Sequence, residues 1–163
     1  MVDLPNNTTD RLLAVADVVE FTPQSWDQGV YYFVDDVENN DDSRGPGHVA
    51  GRPPACGTRA CMAGWGVVLN PQWEKLTGLS WEMAGQVSLG LAWSLSYVLF
   101  DGGVSGDPAD VADLLRHIAK VPEGERTLEA VEVTLPDRLR DVLRTSDVHP
   151  LRGYDDDDEG DDE

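Results

Sequence analysis

From Met83 to Phe100 the chain reads MAGQVSLGLAWSLSYVLF, eighteen residues without a charged side chain. A run of that length is near the minimum for a helix that crosses a bilayer, so it belongs either in a membrane or in the interior of a helical fold. Gln86, Ser88, Ser94, Ser96 and two glycines lie inside it, and Glu82 and Asp101 bound it. No Lys or Arg stands beside it to anchor a span at the lipid headgroups. The interior reading follows. Gly90 readily takes the left-handed conformation that closes a helix, so the run divides into two buried helices with a hinge between them. The first is capped by Ser80, and the second covers Leu91 to Phe100.

The remaining helices are signalled by caps and apolar spacing. Thr8 or Thr9 can cap a first helix, with Leu12, Val15, Ala16 and Val19 on its inner face, and Pro23 halts it near Phe21. Val30 to Val34 is a short extended piece, with a helical turn as the alternative. Residues 35 to 55 are poor in anything to bury and read as a loop. Thr58 is placed as the N-cap of a central buried helix that ends at Asn70-Pro71, with Cys61 at its third position. Asp107-Pro108-Ala109-Asp110 starts another helix, facing inward through Val111, Leu114, Leu115 and Ile118. Thr134 to Arg144 is the last. The expected fold is mainly α: a single compact domain over residues 1–150 with five or six short helices and one short β segment, then a disordered acidic tail at 151–163.

Charge restricts the partners. There are 31 acidic residues against 12 basic, a net charge of −19, and Lys75 and Lys120 are the lysines. Affinity for phosphate backbones comes from Lys and Arg displacing counterions, so direct binding to nucleic acid is not expected. Two runs concentrate the acids: Asp35, Asp36, Glu38, Asp41 and Asp42, then Asp155, Asp156, Asp157, Asp158, Glu159, Asp161, Asp162 and Glu163. Such runs solubilise a chain, or they attract a basic protein, including one whose basic surface normally binds nucleic acid. Their spacing lacks an EF-hand calcium loop. The N-terminal residues Met1 to Pro5 carry no secretory pattern, and the expected compartment is the cytoplasm, that of a host cell if the chain is phage-encoded.

The stretch CGTRACMAGW, residues 56 to 65, holds both cysteines. A thiol at a helix N-terminus feels the positive end of the macrodipole, which favours thiolate and makes Cys56 and Cys61 candidate nucleophiles. The bases available to them are His48, His117 and His149, and His117 is the weak candidate. The spacing is C-x-x-x-x-C, whereas a thioredoxin pair needs C-x-x-C. Two cysteines with His48 fall one ligand short of a zinc site, so no metal and no cofactor is expected. Packing is the favoured reading: Cys56, Gly57, Thr58, Cys61, Ala63, Gly64 and Trp65 form a structural signature with small residues for close approach and a Trp anchor. Trp65 and Trp93 are expected in the core, and Trp73 partly exposed.

CGTRACMAGWGVVL resembles the C-G-T-x-x-C-x-A-G-W-A pattern of small proteins from actinobacterial phages and their hosts. The likeness extends to a first helix at Arg11 to Phe21 followed by Trp26, to Leu89-Gly90-Leu91, to Leu99-Phe100, and to a helix at Ala109 to Lys120. It covers residues 10 to about 120, and departs at Gly66, in the acidic loop before Cys56 and after residue 145. The resemblance implies shared helical structure and a phage or actinobacterial setting; it implies no reaction. The expected function is that of a small acidic accessory protein that binds a host or defence factor, acting as an electrostatic mimic of nucleic acid. The alternatives are a cysteine-dependent enzyme or redox protein and a virion or assembly component.

Overall fold

The computed structural model describes residues 4–28, 31, 33–34, 45–51, 58–100, 104 and 106–144, and over these the protein is mainly α-helical. Helix α1 runs Thr8–Phe21 and ends as the sequence predicts, ahead of a short 3-10 turn at Pro23–Ser25. Its cap is Asn7 rather than Thr8 or Thr9: the Asn7 side chain accepts from the Asp10 amide at 2.8 Å. Strands β1 (Phe33–Val34) and β2 (Thr58–Arg59) pair antiparallel, and α2 covers Met62–Val68. Then come α3 (Trp81–Leu89), α4 (Trp93–Phe100), α5 (Pro108–Lys120), α6 (Leu128–Thr134) and α7 (Asp137–Arg144).

Helices α1 and α5 form the central pair. Leu12, Val15, Ala16 and Val19 on one, and Val111, Leu114, Leu115 and Ile118 on the other, are fully buried. Each buried Leu, Ile or Val contributes about 1.5–3 kcal/mol relative to exposure, and this stripe is the main source of cohesion. Arg116 of α5 bridges to Asp17 and Glu20 of α1 at 2.9 and 2.5 Å. Helix α2 is buried along its whole length and lies against α3 at small residues. A β-carbon on Gly85 would meet Ala63 Cβ at 2.6 Å, and one on Gly66 would meet Leu89 at 2.8 Å. Those glycines set how closely the two helices approach.

The uncharged run is two helices, as read from the sequence. Ser80 caps α3, and Gly90 closes it with φ 63°. α3 and α4 meet at a bend of 118°, and among the described residues no single helix is long and apolar enough to cross a membrane. The run is less buried than expected. Met83, Val87 and Trp93 are exposed, Trp93 to 58%, because eight- and nine-residue helices turn only one face to the core. Two other expectations need correction. Thr58 does not cap a helix: it lies in β2, three residues before the cap position at Cys61. The helix expected over Thr134 to Arg144 starts later, at Asp137 behind Pro136, and Thr134 instead ends a separate helix, α6, that was not anticipated. A proline disfavours helical geometry at the residue before it, here Leu135.

Candidate functional site

The strand that precedes α2 is held by backbone before any side chain acts. The Ala60 amide donates to Ser25 O at 3.0 Å, and the Asp27 amide donates to Ala60 O at 3.1 Å. Trp65 Nε1 donates to Ser25 O at 2.8 Å, so the ring fastens α2 to the segment after α1. Gln28 completes the arrangement. Its Oε1 accepts from Trp26 Nε1 at 3.1 Å and from the Met62 amide at 3.2 Å, while its Nε2 donates to Leu99 O at 2.8 Å. Met62 begins α2 and Leu99 lies in the last turn of α4, where backbone groups lack partners within their own helix. One side chain thus serves the start of one helix and the end of another. No cap or periodicity marks Gln28 in the sequence.

Cys61 is the N-cap of α2. Its backbone is extended at φ −72°, ψ 179°, and Sγ accepts from the Gly64 amide at 3.5 Å. The thiol is 3% exposed. Burial pushes its pKa up; the amides of Gly64 and Ala63 pull the other way, and Glu82 adds to the upward shift. The helix-terminus argument for a thiolate therefore has the right geometry, but desolvation outweighs it. Cys56 and Gly57 lie outside the described residues, as do His149 and both acidic runs, 35–42 and 155–163.

His117 is placed far from this chemistry. It lies on α5, with Nε2 3.0 Å from Thr134 Oγ1 of α6, and burial followed by the nearby Lys120 lowers its pKa. It opens onto a groove of about 560 Å³ formed by α1, α5 and α7, and Cys61 is not in the lining of that groove. His48 is exposed in the 3-10 turn Pro46–His48. Among the described residues, no cluster of three or more His, Cys, Asp and Glu side chains has the arrangement of a metal site.

Two buried arginines were not singled out from the sequence. Arg126, 1% exposed, donates through Nη1 to Leu89 O at 3.1 Å and Thr8 Oγ1 at 2.8 Å, through Nη2 to Thr9 Oγ1 at 2.5 Å, and through Nε to Val121 O at 3.0 Å. Arg11 donates through Nε to Ser88 O at 2.6 Å. Ser88 and Leu89 end α3, so both guanidiniums lie at the negative end of that helix dipole. Burial lowers both pKa values, and Glu123 opposes the shift in each case. Comparison with protein-family models, with curated proteins and with solved structures returns no match.

Proposed function

We propose that the chain is a small acidic accessory protein, of the phage type its CGTRACMAGW stretch resembles, that acts by binding a basic macromolecule. The observation that carries the reading is the division of charge. Five acids fall in residues 35–42 and eight in residues 155–163. Six arginines of the helical part are engaged within it: Arg11 and Arg126 are buried against carbonyl and hydroxyl oxygens, and Arg59, Arg116, Arg138 and Arg140 pair with carboxylates. The excess negative charge is left to act outward, where it accelerates encounter with a positively charged surface. The host or defence factor bound would be one with a nucleic-acid-binding face, for which the two acidic runs are a phosphate-like array.

The reading is favoured over a cysteine nucleophile by the burial of Cys61 and the upward shift of its thiol. The deciding experiment is a pull-down from a host-type lysate with the full chain and with a chain truncated after Arg152, at low and at high salt. A partner retained by the full chain, and lost on truncation or at high salt, is the expected result. A partner indifferent to both moves the binding surface onto the helices, and the absence of any partner overturns the reading.

A further inference from the structure

We propose that the groove between α1, α5 and α7 binds a small amphipathic carboxylate, a monoanion with an alkyl or aryl body. This goes beyond the macromolecular reading and does not depend on it. At about 560 Å³ the groove falls within the size range of small-molecule sites. Its apolar surface comes from all three helices or their flanks: Leu13 of α1, Ala119 of α5, and Pro136 with Leu139 at the start of α7. Leu13 is 38% exposed while its neighbour Leu12 is fully buried, so an apolar body laid in the groove would cover a large aliphatic side chain now facing water.

The charge of the lining selects the head group. In a chain of net charge −19, this groove is lined by Arg116, Lys120 and Arg138 against one carboxylate, Asp113. Of the acids that hold the two arginines, Asp17, Glu20 and Asp110 are not part of the lining. They fix the guanidiniums in place and leave them facing the groove. Lys120 has no carboxylate partner among the described residues and is exposed, so its ammonium is free to meet a ligand. The four carboxylates that hold Arg116 and Arg138 offset their charge, so Lys120 is the cation left to repel a cationic ligand and attract an anionic head group. A dianion would be opposed by those carboxylates, whereas one carboxylate can take hydrogen bonds from the Lys120 ammonium at modest desolvation.

The test is titration of the full chain with octanoate, followed by NMR at the Leu13 and Leu139 methyls and the His117 ring, with octylamine and octanol as matched probes. Saturable octanoate shifts at these three residues, absent with octylamine, are expected, and Lys120→Glu should weaken them by about tenfold. Lys120 is exposed but stands in the last turn of α5, where an acid opposes the helix dipole, so that variant should unfold only slightly earlier than wild type. Leu13→Asn, a second variant, should also weaken octanoate. Equal response to octylamine and octanoate, no saturable shift, or octanoate binding unchanged in Lys120→Glu would each overturn the proposal. So would a synthetic peptide of residues 154–163 that shifts the same signals at lower concentration than octanoate, since the chain's own acidic end would then be the occupant.

Discussion

The backbone carbonyl of Tyr31 is directed at the α-carbon of Gly64 so closely that a β-carbon on Gly64 would overlap the carbonyl oxygen. Tyr31 has little freedom to withdraw: its ring stacks on Trp81 with centroids 5.9 Å apart, and its hydroxyl bonds Glu82. Gly64 therefore places α2 directly against a backbone segment, and the absence of a side chain is the requirement. Gly64→Ala should destabilise the protein by roughly 2–4 kcal/mol, measured by urea unfolding. Gly124→Ala is the control: nothing lies within 4 Å of its added methyl, and a gain of about 0.5 kcal/mol from a stiffer unfolded chain is expected.

Arg126 and Arg138 should respond to substitution very differently, though both are arginines with several partners. Arg126 is buried, and its removal leaves Leu89 O in the interior, and the partly buried Val121 O, without this donor. Arg126→Met is expected to cost roughly 2–4 kcal/mol, since unmet buried acceptors keep their desolvation penalty. Arg138 pairs with Asp110 and Asp113 on the surface, where water screens ion pairs, so Arg138→Met should leave the unfolding midpoint close to that of the wild type. Unfolding midpoints of the two variants, compared in one buffer, check the contrast.

What the sequence made legible were features with a local cause. Ser80, Gly90 and Asp107-Pro108 are caps whose chemistry acts within one helical turn, and all three hold in the structure. Thr58 failed because two residue types satisfy the same pattern: a Thr before a small-residue run suits a cap, but pairing with β1 takes it into a strand, and the Cys61 thiol does the capping. Trp93 was misplaced for a different reason. Aromatic residues in an uncharged run suggest interior on both faces, yet Trp93 stacks on Tyr97 at 5.4 Å while facing water. The links made by Gln28 and Arg126 could not be read at all, because Gln28 and Leu99, or Arg126 and Thr8, are brought together only by tertiary packing. The groove was invisible for the same reason: of its residues Thr9 was read as a helix cap, Lys120 was named as a lysine, and His117 was singled out for a different chemistry.

Cys61 should be slow to alkylate in the folded protein. Its thiol is buried and its pKa is raised, so reaction requires an opening event as well as deprotonation. In a Cys56→Ser background, iodoacetamide labelling followed by mass spectrometry should be slow in native buffer and rapid in urea. Fast native labelling at neutral pH would restore the nucleophile reading.

Two groups, His117 and Asp113, should each withdraw stability from the folded state as pH falls. His117 has a lowered folded pKa, from burial first and Lys120 second. Below the unfolded value of about 6.5 the unfolded chain binds the proton more readily than the folded one, so stability falls as pH drops through that range. Asp113 has a folded pKa held down by its hydrogen bond to Arg138 and by Arg116. Its contribution is present above the ordinary Asp value and is lost as pH falls through the lower folded one. The global effect runs the other way, since protonating acids in a chain of net charge −19 relieves repulsion. The measurement must therefore be a difference. Stability of wild type minus His117→Gln, followed by urea unfolding from pH 7.5 downward, should decline as pH falls through about 6.5 and then level off. A difference that is flat across that interval would mean that His117 is as well solvated in the fold as in the unfolded chain.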